Sequence, residues 1–77
     1  MERFKNKVLL LDESNFEQVK KLLIDKGFKI NSIEFKIRHE KTFAWLGKYS
    51  QLFMTSHFKL KDETELTLEE FINLLNE

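Results

Sequence analysis

His39 and His57 are the only histidines, and Glu40 stands beside the first. On neighbouring strands they would bring two imidazoles and a carboxylate together. A catalytic metal needs about three protein ligands with further groups to orient them. No H-E-x-x-H or comparable spacing occurs, so no metal site is expected. Cysteine is absent, which removes a thiol nucleophile, disulfides and Cys-based zinc sites. Ser50, Ser56 and His57 raise a hydroxyl nucleophile and its base. Ser56 and His57 are chain neighbours, however, and on a strand they point to opposite faces. Asp62, Glu63, Glu65, Glu69 and Glu70 crowd one short stretch. Acid–base catalysis needs surroundings that drive carboxyl pKa values apart, which a solvated helix start does not supply. Gly27 and Gly47 stand twenty residues apart and cannot form a phosphate-cradling loop. The expectation is a non-enzymatic chain without cofactor or metal.

The elements that must position these groups fit one small domain, residues 1–77. Hydrophobic residues are 42% and charged residues 34%, a globular balance. Proline is absent, and no linker or repeat is visible. The longest apolar run, Val8 to Leu11, is far shorter than the about 7–15 residues of a signal peptide or the about 20 of a membrane span. The expected location is therefore the cytoplasm, with no membrane contact.

Val8 to Leu11 reads as a buried strand. Ser14 and Glu17 have capping-box spacing, and Phe16, Val19 and Leu23 lie on one face of the helix that follows. Gly27 suits its left-handed end, with Phe28 folding back on the last turn. Ile33, Phe35 and Ile37 alternate with Glu34, Lys36 and Arg38, which predicts a strand with one wet face. Phe28 and Ile30 have the opposite parity, so a bend is expected near Asn31-Ser32. His39-Glu40-Lys41 suits a reversal into Thr42–Leu46. From there the pattern is ambiguous. Trp45, Tyr49, Leu52 and Phe53 have helical spacing, whereas Leu52, Met54, Phe58 and Leu60 alternate as in a strand. Aromatic and Thr content favours the strand. Thr67-Leu68-Glu69-Glu70 is a second capping box, with Leu66 placed to staple onto Phe71. The expected fold is α+β in the order β-α-β-β-β-α, a mostly antiparallel sheet with two helices on one face.

Thirteen basic and thirteen acidic residues cancel, but they are segregated. Residues 1–61 hold every basic group and a net +6, and residues 62–77 carry −6. A uniformly basic nucleic-acid binder is thereby excluded. Eight Phe, one Trp and one Tyr are too many rings for so small a domain to bury completely. Phe43, Trp45, Tyr49 and Phe53 are the candidates for exposure. Exposed rings beside Lys and Arg are ingredients of a protein-binding patch. The expected contact set is Trp45, Tyr49 and Phe53 as anchors, with Lys36, Arg38 and Lys48 steering. The acidic segment Asp62-Glu63-Glu65-Glu69-Glu70 could imitate nucleic-acid phosphates at a partner's basic groove, and Asp62, Glu63 and Glu65, which helix capping does not explain, are its candidate contacts. The alternative is a single-stranded nucleic-acid binder, with Lys36, Arg38, His57, Lys59 and Lys61 on the outer sheet face and rings stacking on bases. The RNP1 pattern of RNA-binding sheets is absent. Homodimerisation through a sheet edge is compatible with either reading.

In composition the chain, rich in Lys, Asn, Ile and Phe and beginning Met1-Glu2-Arg3-Phe4-Lys5, resembles the short accessory proteins of AT-rich phages and mobile elements. The likeness is one of size and composition over the whole chain and carries no residue roles. It implies an inhibitor that occludes a host enzyme or an anti-phage defence enzyme such as a CRISPR nuclease, acting in the host cytoplasm.

Overall fold

A computed structural model describes residues 2–38 and 41–77. A 3-10 turn, Glu2–Phe4, leads into β1 (Lys7–Leu11), α1 (Phe16–Asp25), β2 (Lys29–Ile30), β3 (Thr42–Leu46), β4 (Leu52–Ser56), β5 (Thr64–Leu66) and α2 (Leu68–Leu75). The strands form one sheet in the order β2-β4-β3-β1-β5. The α+β class is as expected, but the sheet is mixed. β3 runs antiparallel to β1 and β4, while β2 pairs parallel with β4 and β5 parallel with β1.

Both helices end and begin on local chemistry. Gly27 has φ +86°, and Phe28 N–H donates to the Leu23 carbonyl while Gly27 N–H donates to that of Ile24. This is the Schellman arrangement, and only glycine takes that φ without strain. Thr67 Oγ1 accepts from Glu70 N–H at 3.1 Å and the Glu70 carboxylate accepts from Thr67 N–H at 2.9 Å, completing the capping box of α2. The box proposed for α1 is not formed. Asp12 accepts both the Ser14 hydroxyl and the backbone N–H of Ser14 and Asn15. With the Ser14 hydroxyl committed backwards, Asn15 takes the N-cap position and α1 starts at Phe16.

Topology separates two sheet faces. Strands β1, β2, β4 and β5 share one direction, so β1-α1-β2 and the connection 57–63 between β4 and β5 are both crossovers. They travel in opposite directions along the sheet, and right-handedness therefore places them on opposite faces. The inner face carries Leu9, Leu11, Ala44, Phe53 and Leu66 against Val19, Leu23, Phe71 and Leu75 of the two helices. Four rings meet there edge to face or tilted. Phe53 lies 5.1 Å from Phe28, 5.5 Å from Phe4 and 5.8 Å from Phe71. The outer face carries Val8 and Phe43, exposed by only 2% and 4% although they stand apart from that cluster. By the handedness argument the 57–63 connection crosses on this side of the sheet.

The strand expected at Ile33–Ile37 does not form. Asn31 Oδ1 accepts from Ile33 N–H and Glu34 N–H, and Phe35 N–H turns back to the Asn31 carbonyl at 2.7 Å. The bend expected at Asn31-Ser32 is therefore a full turn, and it consumes the strand. Phe35 is buried against Phe16 at 5.6 Å, while Ile33 is 75% exposed. The segment 31–38 is held by inner-face threonines instead of by a backbone ladder. Thr55 Oγ1 donates to the Glu34 carbonyl at 2.6 Å, and Thr42 Oγ1 accepts from Arg38 N–H at 2.8 Å. The strand expected to run from Leu52 to Leu60 ends at Ser56, and β5 was not anticipated.

Candidate functional site

The register dictates where the aromatic residues point. Leu46 pairs with Phe53 and Trp45 with Met54. Phe53 thus shares the inner face with Leu46, and Trp45 faces outward with Met54. Phe53 is 1% exposed in the ring cluster and cannot anchor a partner. Phe43, with the parity of the outer face, is likewise buried. Helical spacing would have put Trp45, Tyr49 and Phe53 on one side. Two strands and the turn between them send Phe53 to the opposite face from Trp45.

Trp45 is half-buried, with its indole N–H donating to Ser56 Oγ at 2.9 Å. Ser56 thereby acts as an orienting acceptor for the indole. Tyr49, in the turn between β3 and β4, is 91% exposed, and Lys48 Nζ lies 5.4 Å from its ring centre. Gly47 shapes this turn. Its N–H donates to the Leu52 carbonyl at 2.8 Å, and a Cβ there would stand 2.9 Å from Ser50 Oγ and 3.0 Å from Met54 Cε.

Trp45, Gly47, Lys48 and Tyr49 form one wall of a cleft of about 460 Å³. The other wall is the chain entering β1, with Glu2, Lys5 and Lys7, and Glu63 closes it from the approach to β5. Lys5 and Lys7 were not among the expected site residues. Their meeting with Trp45 follows from antiparallel pairing of β1 and β3, in which Leu9 stands opposite Ala44 and the register continued brings Lys7 level with Leu46. Only the partner assignment of β1 could have revealed it. Three lysines and two glutamates around the rings of Phe4, Trp45 and Tyr49 give a cleft of mixed charge.

The remaining expected contacts lie elsewhere. Arg38 Nη1 donates to Thr55 Oγ1 at 3.1 Å, and Nη2 lies 3.8 Å from Glu34 Oε2. Arg38 is tied down beside the inner-face threonines, so it does not steer from the outer face. Lys36 belongs to the same segment, exposed but remote from the cleft. Glu63 uses a carboxylate oxygen to accept Leu60 N–H at 2.7 Å, and is half-buried. Asp62 and Glu65 are exposed, and pairing of Val8 with Glu65 gives Glu65 the parity of the outer face. Asp62, Glu63 and Glu65 therefore do not act as one free acidic cluster. His57 is exposed, its ring 5.1 Å from that of Phe58. His39 and Glu40, considered for a metal, lie outside the described residues. Among the described residues no group of three ligating side chains converges, and no helix is long and apolar enough to cross a membrane.

Among the described residues two carboxyl groups are shifted, both downward. Hydrogen bonds from Ser14 hold Asp12 below the ordinary carboxylate range, and the Thr67 N–H does the same for Glu70. Both belong to helix starts and neither lines the cleft. No family model, curated protein or solved structure matches this chain.

Proposed function

We propose that this chain is a non-enzymatic protein-binding module whose contact surface is the Trp45–Tyr49 cleft. The observation that carries the reading is the 91% exposure of Tyr49 beside a half-buried Trp45. An amphipathic ring held out on a short, glycine-shaped turn loses little entropy on binding and is the kind of side chain that dominates interface energetics. Lys5, Lys7 and Lys48 alternate with Glu2 and Glu63 around it, which suits a protein surface carrying both signs. The same two carboxylates would repel a phosphate backbone. In this reading the mechanism is occlusion, with a rigid sheet end covering a working site on the partner. A host or defence enzyme is the partner that the compositional likeness to phage accessory proteins suggests.

A second reading, single-stranded nucleic acid stacking on Tyr49 with Lys5, Lys7 and Lys48 along its backbone, draws on the same cleft. Trp45 is the only tryptophan and reports on both. Affinity capture from host lysate with the native chain and with Y49A is the test. Recovery of a protein by the native chain and its loss with Y49A is expected. Equal capture by both would overturn the assignment of the cleft. Quenching of Trp45 fluorescence by oligonucleotides, with an affinity falling steeply as salt rises, would replace it with the nucleic-acid reading.

A further inference from the structure

Outside the cleft, the 57–63 connection exposes two large apolar side chains on the outer face. Phe58 is 59% and Leu60 57% exposed. Lys59 between them is half-buried, with Nζ donating to the Glu63 carbonyl at 3.2 Å. The strap is thus inverted relative to ordinary surface chain, since its apolar residues face solvent and its lysine is drawn back to backbone carbonyls.

The sign of charge then reverses across one peptide bond, from Lys61 to Asp62. The neighbouring charges are already engaged, Lys59 by carbonyls and Glu63 by Leu60 N–H. Lys61, Asp62 and Glu65 are exposed, and none of the three is in an ion pair among the described residues. A plus-to-minus order along an exposed strap is complementary to itself under a twofold rotation. The rotation reverses the order and sets each copy's Lys61 against the other's Asp62. A closed contact of this kind is isologous, the commonest geometry of soluble dimers. With a net charge of zero, no overall repulsion opposes the approach of two copies.

We propose that two copies of this chain associate through the 57–65 strap, with Phe58 and Leu60 of each covered by the other and the Lys61–Asp62 pairs fixing the register. The contact leaves Trp45 and Tyr49 outside it, while Glu63, which lies in the strap, also lines the cleft. A small interface of about 600 Å² a side would take about a tenth of the 5403 Å² surface, so the dimer is weak and concentration-dependent. Sedimentation velocity on the whole chain at about 10 µM and about 1 mM, concentrations that bracket the affinity of an interface this small, is the test. The expected result is a shift from monomer toward dimer. K61E and D62K should each weaken it by about tenfold or more, because each turns two attractions into repulsions. The double variant K61E/D62K, which exchanges the signs, should regain dimerisation. F58S/L60S should be monomeric at both concentrations with an unchanged circular dichroism spectrum. A monomer at the higher concentration overturns the proposal, as do a dimer indifferent to both single charge reversals and a double variant no better than the singles.

Discussion

Thr55 is the side chain on which the segment 31–38 hangs, and replacing it with valine tests that segment's whole account. The side chain is 7% exposed and of nearly the same volume as valine, so T55V removes a hydroxyl without opening a cavity. The loss leaves the Glu34 carbonyl without the 2.6 Å donor it now has, and an acceptor stranded in a half-buried site costs about 1–3 kcal/mol. Arg38 Nη1 also loses its 3.1 Å acceptor, but it keeps the Lys36 carbonyl at 3.4 Å and reaches solvent, so about 0.5 kcal/mol suffices for it. The Lys36 N–H contact, at 3.5 Å, adds little. The expected destabilisation is about 2 kcal/mol, a fall of about 10 °C in melting temperature for a domain of this size. T55S keeps the hydroxyl and loses only a methyl, for about 1 kcal/mol and about 5 °C. Thermal unfolding followed by circular dichroism should therefore rank native above T55S above T55V. Amide exchange should accelerate at residues 35–38 in T55V before it does in β3 or β4. A T55V protein melting at or above T55S would refute the argument that hydroxyl bonding, and no strand ladder, holds this segment.

Other consequences follow from the same structure. F53A should cost about 3–5 kcal/mol, enough to broaden the one-dimensional NMR spectrum of so small a domain, whereas Y49A should move the melting temperature by no more than about 3 °C because surface truncations are usually within about 0.5 kcal/mol. G27A should lose about 1 kcal/mol despite open space around its Cβ, because φ +86° is unfavourable for any L side chain, and G27N should lose less. The carboxyls of Asp12 and Glu70 have folded pKa values below their ordinary ones. Their contribution is thus present above the ordinary carboxylate range and is lost as pH falls through the lowered values. Melting temperature should drop as pH falls below about 4, and D12N/E70Q should flatten that part of the profile. An unchanged slope in the double variant would assign the acid sensitivity to other groups.

The fate of individual residues shows what could be read in advance. Asn31 held a legible turn signal, since a side-chain amide that bonds amides two and three residues ahead competes with a strand. The alternation of Ile33, Phe35 and Ile37 masked it, because period-two hydrophobicity states only which side chains could share a face. Trp45 and Tyr49 were found by type, and they remain in the cleft. Phe53 was chosen by the same rule, yet the strand register buries it.

What sequence alone determined is what is decided within three or four residues. The α2 capping box, the glycine end of α1, the buried β1 run and the apolar stripes of both helices are local, because each donor, acceptor or face has its partner nearby in the chain. The tertiary structure decided everything that needs a distant backbone. β1 chose β3 and β5 as neighbours, and that choice brought Lys5 and Lys7 to Trp45. The opposed crossovers gave Phe58 and Leu60 to the outer face, and Thr55 drew Arg38 inward. A strand's pattern fixes its two faces, but only its partner strand fixes which of them sees solvent.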